Sequence, residues 1–379
     1  MKILEKVLFA QDFNSSKNLE SAAIDIAKTF NSKLIPIHVL PDDLLDSKVK
    51  DKVGESALAH LQKTSDGLKK HGVEVDAPLI RYGSPHEAIV KAAVAVNANL
   101  ILAGSGAHPE DGKFLLGTTT QRIIQNSDKP VLVIKENTNL NIKTILCPVD
   151  FSDSSERALN NAIVMARRYN AELVVLSVCE KQTSSWFGSQ EYLDKENKVR
   201  FEKHATDYET FLKKFNLVDV NFTKESKMGN PAQEILKTVA SKKIDLMVMG
   251  THGRTGLNRM IMGSVTEKVI REVPCSFVTL KSEDVINLQL QSDIKDFEKL
   301  FEEGIQLAKD GFYEEAIEQF KASLNINNMH VPAYEAIAKV FEKMEAPKKA
   351  AMYRKSAKEI KNRMWYSKIE EEVRKLRSS

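Results

Sequence analysis

The chain has 379 residues, which is enough for two or three domains. Hydrophobic residues make up 42% of it and charged residues 28%, the balance of an ordinary globular protein. The formal net charge of +3 is too small to predict binding to nucleic acid or to an anionic membrane. No run reaches the ~20 apolar residues of a transmembrane helix, and charges interrupt the N-terminal stretch MKILEKVLFAQDFN too early for a signal peptide. We therefore expect a cytoplasmic protein.

The first 281 residues contain an internal repeat. KVLFAQDFNSS (6–16) matches TILCPVDFSDS (144–154), which places Asp12 against Asp150. ANLILAGSG (98–106) matches IDLMVMGTH (244–252), and the Gly-x-Pro-like segments YGSPHEAIVKAA and MGNPAQEILKTV match between them. The second copy is the longer one, and we expect its extra residues in a surface loop near KQTSSWFGSQ.

Each copy reads as alternating strands and helices. Short apolar runs rich in Val, Ile and Leu predict parallel strands covered on both faces. Ser84-Pro85 and Asn230-Pro231 predict helix starts, each with an N-cap side chain followed by proline. The predicted fold is a doubly wound, Rossmann-like α/β layer in each of two domains, 1–138 and 139–282. The final strands VLVIK and SFVTLK are candidates for the seam of an intramolecular pseudo-dimer, with or without a homodimer beyond it.

After Lys281 the pattern becomes helical, and we assign residues 283–379 to an all-α domain. Two segments align at a spacing of about one tetratricopeptide repeat. The aligned positions are Leu300, Gly304, Leu307, Gly311, Tyr313, Ala316, Phe320 and Leu324 in the first segment, and Tyr334, Ala338, Phe341 and Ala350 in the second. This resemblance implies a protein-binding tail, with MWYSKIEEEVRKLRSS as a terminal capping helix.

The segment MGTHGRTGLNRMIMGSV, from Met249 to Val265, follows an apolar strand and precedes a helix. Its glycines predict a tight loop or the close approach of a ligand. The helix start after it predicts an anion site, with Ser264 as the N-cap and its hydroxyl facing a phosphate oxygen. It contains neither a Walker A loop nor a GxGxxG fingerprint. Its spacing, G-x2-G-x9-G-S, resembles the nucleotide loop of the ATP-binding universal stress proteins, within the wider adenine nucleotide α-hydrolase-like group. The resemblance covers both α/β copies.

This resemblance implies that Asp150 accepts hydrogen bonds from ribose hydroxyls and that Val178 meets the adenine ring through its backbone. The nucleotide-binding residues that it implies in the second copy are Pro148, Val149, Asp150, Val178, Met249, Gly250, His252, Gly253, Arg254, Gly263, Ser264 and Val265. It implies ATP or another adenine nucleotide as the ligand, alone or with Mg2+. Two simpler interpretations stay open: Asp150 as a helix-entry cap, and Arg254 and Arg259 as solvated loop charges.

The first copy departs from this pattern. It keeps a weaker set of candidates: Asp12, Val39, Gly104, Gly117 and Thr118. Ala107 replaces the second glycine of the loop, and Glu110 and Asp111 would repel a polyphosphate. We therefore expect nucleotide to occupy the second copy preferentially.

The cysteines and the remaining polar residues indicate no catalytic or metal centre. Cys147, Cys179 and Cys275 lie in apolar runs without CxxC spacing, so we expect buried, reduced thiols. No nucleophile–base pair stands near the glycine segment, which favours binding over catalysis. We expect a nucleotide-binding stress protein whose tail recruits a protein partner. The alternatives are a slow ATPase or nucleotidyl-transfer enzyme, and a scaffold that binds no nucleotide.

Overall fold

The computed structural model describes residues 4–12, 17–42, 47–106, 116–135, 141–183, 190–252, 262–281 and 290–377. Within these ranges, side chains are described except at 17, 47–48, 290–296, 325 and 363–377. The chain divides into an α/β unit, within residues 2–211 and 219–287, and a helical unit, within residues 212–218 and 288–379.

The first copy of the repeat forms strands and helices in alternation, as the sequence predicts. In chain order the elements are β1 (Lys6–Ala10), α1 (Lys17–Phe30), β2 (Lys33–Leu40), α2 (Ser47–Lys70), β3 (Glu74–Val75), β4 (Leu79–Tyr82), α3 (Pro85–Ala95), β5 (Leu100–Gly104), α4 (Thr118–Asn126) and β6 (Val131–Ile134). The central strands are buried along nearly their whole length because helices cover both faces of the sheet.

The second copy repeats this order. Its elements are β7 (Thr144–Val149), α5 (Asp153–Tyr169), β8 (Glu172–Glu180), α6 (Gln190–Leu212), β9 (Phe222–Gly229), α7 (Pro231–Lys242), β10 (Leu246–Gly250), α8 (Ser264–Glu272) and β11 (Ser276–Leu280). Both predicted Pro-initiated helices form. Asn230 caps α7 by accepting from the Gln233 amide at 3.2 Å, whereas the Ser84 hydroxyl contacts His86 Nδ1 at 2.8 Å and does not cap α3.

One sheet runs through both copies, in the order β3-β2-β1-β5-β6-β11-β10-β7-β8-β9, with β4 also paired to β2. Within each copy the strands are parallel. β1 lies between β2 and β5, and β7 lies between β8 and β10, so the strand order reverses at β1 and at β7. The copies meet where β6 and β11 pair antiparallel, with Val133 opposite Phe277 and Val131 opposite Thr279. This pairing confirms the predicted seam.

Side chains also cross the seam. Lys281 Nζ donates to the Gln125 carbonyl at 3.2 Å and lies 3.7 Å from the Asp128 carboxylate. The two copies also contact each other through helices, because the Tyr169 hydroxyl of α5 donates to Asp25 Oδ2 of α1 at 3.1 Å. Burial raises the pKa of Asp25, so the tyrosine bond satisfies a carboxyl group that is partly removed from water.

The helical unit contains four helices in the described residues: α9 (Leu290–Asp310), α10 (Tyr313–Ile326), α11 (Val331–Lys343) and α12 (Pro347–Arg377). α9 packs on α10, and α11 packs on α12. A Cβ atom at Gly304 would lie 2.7 Å from the Phe320 ring, so glycine lets α9 and α10 approach closely there. The predicted capping segment is helical as far as Arg377, but it continues α12 and does not form a helix of its own.

The three cysteines are free and buried, as predicted. Burial raises the pKa of the Cys147 thiol above its ordinary range and that of Cys275 to about 12, so both stay protonated near neutral pH. Among the residues that the structure describes, no helix is both long enough and apolar enough to cross a membrane.

Candidate functional site

A cavity of about 400 Å³, here called cavity 1, opens at the carboxyl ends of β7, β8 and β10. In open α/β sheets this position, where the strand order reverses, is the usual ligand site. Ten of the twelve residues predicted for the second copy line it: Pro148, Val149, Asp150, Val178, Met249, Gly250, His252, Gly263, Ser264 and Val265. The other two, Gly253 and Arg254, lie outside the described residues, as does Arg259.

Gly250 ends β10 at a point where α5 comes very close. A Cβ atom at Gly250 would lie 2.2 Å from Ser154 Oγ and 2.9 Å from the Ser154 carbonyl carbon. No side chain fits there without a shift of the helix, so glycine is required by packing. The adjacent His252 amide is 3.5 Å from the same Ser154 hydroxyl. The loop therefore leaves the sheet directly over the start of α5.

One backbone and one side-chain hydrogen bond close the base of the glycine loop. The Gly263 amide donates to the Thr251 carbonyl at 2.9 Å, and the Thr266 hydroxyl donates to the Gly250 carbonyl at 3.0 Å. Gly263 is the N-cap of α8, so Ser264 is the first helical residue and not the cap that its sequence position suggested. The first amides of a helix have no acceptor within the helix, and here they begin at the cavity wall.

Asp150 shapes the turn between β7 and α5. Its Oδ1 accepts from the Ser152 amide at 3.1 Å and from the Ser152 hydroxyl at 2.5 Å. The N-cap of α5 is Ser152, whose hydroxyl accepts from the Ser155 amide at 3.3 Å. The capping interpretation of Asp150 is therefore wrong in detail, since Asp150 supports the turn and a serine caps the helix.

A second cavity, of about 360 Å³, occupies the corresponding place in the first copy; we call it cavity 2. All five predicted residues line it: Asp12, Val39, Gly104, Gly117 and Thr118. Its loop closes as in cavity 1, with the Gly117 amide donating to the Ser105 carbonyl at 2.7 Å and the Thr120 hydroxyl to the Gly104 carbonyl at 2.9 Å. Ala107, Glu110 and Asp111 lie outside the described residues.

Comparison with known proteins agrees with the tandem α/β fold. The family model described as the universal stress protein family matches residues 4–135 and again residues 141–281. The chain belongs to the universal stress protein family. It carries two family domains in tandem, which accounts for the internal repeat.

Individual relatives of this tandem universal stress protein match one domain or both. A universal stress protein of Methanocaldococcus jannaschii is 33% identical over 156 residues, covering 39% of this chain and 87% of the relative. The solved structure of a universal stress protein from Archaeoglobus fulgidus covers 73% of this chain and 98% of its own, with a TM-score of 0.54 and 21% identity. A protein of unknown function from Pseudomonas aeruginosa gives a TM-score of 0.55 at 19% identity, covering 75% and 94%. The two structures support the fold.

Sequence reasoning missed the wall of cavity 1 that α6 provides. Arg200 and His204 line the cavity from this helix, four residues apart and so on one face. His204 Nε2 lies 2.9 Å from Ser177 Oγ, whose hydroxyl donates to the Val149 carbonyl at 3.2 Å. The ring of Phe151 packs on His204 with centroids 5.1 Å apart. Periodicity alone gives no signal for these two residues, because a polar helix face ordinarily faces solvent.

Phe151 adopts a backbone conformation that is unusual for an aromatic residue. Its φ is 68°, in the left-handed region that favours glycine. Its ring packs on Tyr208 and Phe211 of α6 as well as on His204, with centroid distances of 5.8 and 5.2 Å to the first two. These contacts hold the strained residue in place directly beside Asp150. The turn that carries the aspartate is thus tied to α6.

The described residues contain no group of three or more His, Cys, Asp or Glu side chains arranged to hold a metal ion. Mg2+ usually binds through one or two carboxylates together with substrate phosphates. Asp150 and Glu180 are the carboxylates that line cavity 1. A magnesium ion there would therefore depend on phosphate oxygens of a ligand for most of its inner ligands.

Proposed function

We propose that cavity 1 binds an adenine nucleotide, with ATP as the first candidate. The observation that carries this proposal is the convergence of two features on one cavity. The first is the α8 N-terminus behind a closed glycine loop, and the second is the Asp150 carboxylate at the exit of β7. The helix start suits phosphate, while a carboxylate suits the hydroxyls of a sugar.

We propose further that cavity 1 is occupied in preference to cavity 2. Both have the closed loop and the aspartate, but their remaining walls differ. Arg200 lines cavity 1 together with His204 and His252, whereas the described residues that line cavity 2 include His38 but no arginine or lysine. Arg200 thus gives cavity 1 a cationic donor that the described lining of cavity 2 lacks, and this favours binding of an anionic nucleotide in cavity 1.

The site supports binding in preference to catalysis. Two hydroxyl–imidazole pairs lie at cavity 1, but neither hydroxyl is placed as a nucleophile. Ser177 is fully buried and donates to the Val149 carbonyl, and Thr251 is buried and donates to the Leu280 carbonyl at 3.2 Å. Neither hydroxyl residue lines cavity 1, so neither faces the place where a ligand would bind. Release of phosphate from ATP above background, abolished by a change at Asp150, would instead favour the slow ATPase.

The experiment is mass spectrometry of nucleotide released from the freshly purified protein, followed by calorimetric titration with ATP, AMP and cyclic AMP. Asp150→Asn keeps the side chain's size and its turn-forming oxygen but removes its charge. We expect it to weaken ATP binding by tenfold or more, the usual cost of losing a charged hydrogen-bond acceptor. Asp12→Asn is the matched control in the first copy and should leave the main binding event unchanged. Equal losses in the two variants, or no binding by the wild type, would contradict the proposal.

For the helical unit we propose a tetratricopeptide-like fold that binds a protein partner. Support comes from two helix pairs with a close crossing at Gly304 and from the buried residues at the predicted repeat positions. Phe312 and Met352 are large apolar side chains that stay exposed, at 56% and 42%. Quantitative affinity purification should therefore lose a specific protein in Phe312→Ser. Lys358→Ser, at an exposed charged position of α12, is the control.

A further inference from the structure

The helix that follows the second strand differs between the two copies. In the second copy, α6 contributes Arg200 and His204 to the wall of cavity 1. In the first copy, the described residues of α2 contribute none to cavity 2. Arg200 is not among the nucleotide-binding residues that the family resemblance implies. Its position at the cavity therefore needs a separate explanation.

Anchors one helical turn to either side hold Arg200 in place. Asn197 is buried, and its carboxamide makes two 3.0 Å hydrogen bonds with the backbone of Gln182, just beyond the end of β8. On the other side, His204 is fixed by Ser177 and Phe151 as described above. With the Gln182 carboxamide oriented to satisfy both of its neighbours, its oxygen accepts from Arg200 Nη1 at 2.6 Å. These contacts hold the Arg200 guanidinium at the rim of cavity 1.

The order of the strands shows which part of a ligand Arg200 would meet. α8, which offers the phosphate position, follows β10, whereas Arg200 lies on the side of β8. β7 separates these two strands, and neighbouring strands lie about 4.8 Å apart, so the two sides of cavity 1 are about 10 Å apart. A nucleotide with its phosphates at α8 and its sugar at Asp150 would extend its base toward β8 and α6.

We propose that Arg200 is a specificity-determining residue that contacts the purine base of the ligand in cavity 1; this rests on the nucleotide-binding function proposed above. A guanidinium is planar, stacks on aromatic rings and donates to ring nitrogens in a fixed geometry. Arg200 is exposed before a ligand arrives and covers the base when one is bound. Since the contact is to the base, it contributes equally for adenosine, AMP and ATP.

The test compares four proteins by calorimetric titration: the wild type, Arg200→Gln, Arg200→Lys and, as a control, Lys203→Gln. Lys203 is another exposed cation of α6, but it does not line the cavity. Arg200→Gln should weaken adenosine, AMP and ATP alike, by about fivefold, as expected for loss of a cation–π contact at an exposed site. Arg200→Lys should give a smaller loss, because an ammonium ion keeps the positive charge but lacks the planar face and the forked donors of a guanidinium. The preference for ATP over CTP, whose base is smaller, should fall in both.

The outcomes separate the two proposals. Wild-type binding with unchanged affinities in Arg200→Gln overturns the role of Arg200 and leaves the nucleotide site standing. A loss confined to ATP and AMP, with adenosine unaffected, also overturns it, because the contact would then be to phosphate. An equal loss in Lys203→Gln assigns the effect to the general charge of α6. Absence of binding by the wild type overturns both proposals. Because the changed side chains are exposed, all variants should keep the wild-type circular dichroism and unfolding temperature.

Discussion

In the second copy, a Cβ atom at Gly250 would overlap Ser154 of α5. In the first copy, among the described residues, a Cβ atom at the equivalent Gly104 would lie 3.6 Å from Leu19 Cδ2 of α1, an ordinary van der Waals distance. The backbone around these glycines is nevertheless closed in the same way. In the second copy the Gly263 amide donates to the Thr251 carbonyl at 2.9 Å, and in the first copy the Gly117 amide donates to the Ser105 carbonyl at 2.7 Å. A threonine hydroxyl bonds the glycine carbonyl in both.

This comparison distinguishes the loop closure, which both copies share, from the cavity walls, which would contact a ligand and which differ. Loop closure is common to both copies, because one amide–carbonyl bond and one threonine hydroxyl bond form in each, although the cavity walls around them differ. The walls differ, because α6 supplies Arg200 and His204 to cavity 1 while the described part of α2 supplies nothing to cavity 2. A difference in ligand binding between the copies should therefore be sought in side chains and not in the course of the loop.

The largest expected effect is the loss of stability when Gly250 is changed to alanine, compared with the same change at Gly104. In Gly250→Ala the new Cβ would overlap both the hydroxyl and the backbone of Ser154. We expect the free energy of unfolding to fall by about 3 kcal/mol, together with loss of nucleotide binding, because α5 and the loop must move apart. Gly104→Ala is the matched change. Among the described neighbours of Gly104 the new Cβ would meet Leu19 Cδ2 at 3.6 Å without overlap, so we expect a loss of less than about 1 kcal/mol. Urea unfolding measures both values.

A second change at the same place sharpens this result. The double variant Gly250→Ala with Ser154→Gly removes the hydroxyl and Cβ that the new methyl group would overlap. It should recover part of the stability lost in the single variant, which a double-mutant cycle would show as a coupling free energy. Additive losses would mean that Ser154 is not the obstacle. Ser16, the counterpart of Ser154 in the repeat, lies outside the described residues.

The next largest expected effect is on stability, and it should differ between Lys135 and Lys281, two equivalent lysines at the seam. Lys281 is partly buried and lies 3.7 Å from the Asp128 carboxylate, whereas the equivalent Lys135 is fully buried. Lys135 is 1% exposed, and burial lowers its pKa from 10.5 to about 8, an effect only partly offset by nearby Cys275. Below pH 8 the ammonium form is buried at a cost of about 3 kcal/mol; the cost falls as the pH rises from 8 to 10.5.

Lys135→Met should therefore raise the free energy of unfolding by about 2 kcal/mol at pH 7, a little less than the full cost because methionine packs differently. The gain over the wild type should shrink between pH 8 and 10.5, since the wild-type lysine loses its charge in the folded state over that range. Lys281→Met is the control and should destabilise slightly or not at all. Denaturant unfolding at several pH values measures both. A gain that does not change with pH would contradict the burial of a charged Lys135.

Much of this architecture could be predicted from the sequence because it rests on local signals. Continuous apolar runs gave the strands, Ser-Pro and Asn-Pro gave two helix starts, and the repeat paired Asp12 with Asp150. The candidate residues of each copy came together at one cavity because the carboxyl ends of parallel strands share one edge of a sheet.

The wall from α6 could not be predicted in this way. Arg200 and His204 are remote in sequence from the strand ends, and a charged residue on a polar helix face predicts exposure to solvent. Their position depends on tertiary contacts, such as the Asn197 carboxamide on the Gln182 backbone and Phe151 on His204. The role of Ser264 was also assigned wrongly as a cap, because whether the cap falls on Gly263 or on Ser264 depends on the backbone closure to Thr251.

The smallest expected effect concerns the first hydroxyl of each cavity helix. Ser264 and Thr118 are the first residues of α8 and α4, and each lines its cavity. Ser264→Ala removes one neutral donor from the proposed phosphate position, so ATP binding should weaken by about fivefold, and adenosine binding should not change. Thr118→Ala should leave the main ATP affinity unchanged if cavity 1 is the occupied site. An equal loss in Thr118→Ala would show that both cavities hold nucleotide, and the difference between the copies would then lie in which nucleotide each one prefers.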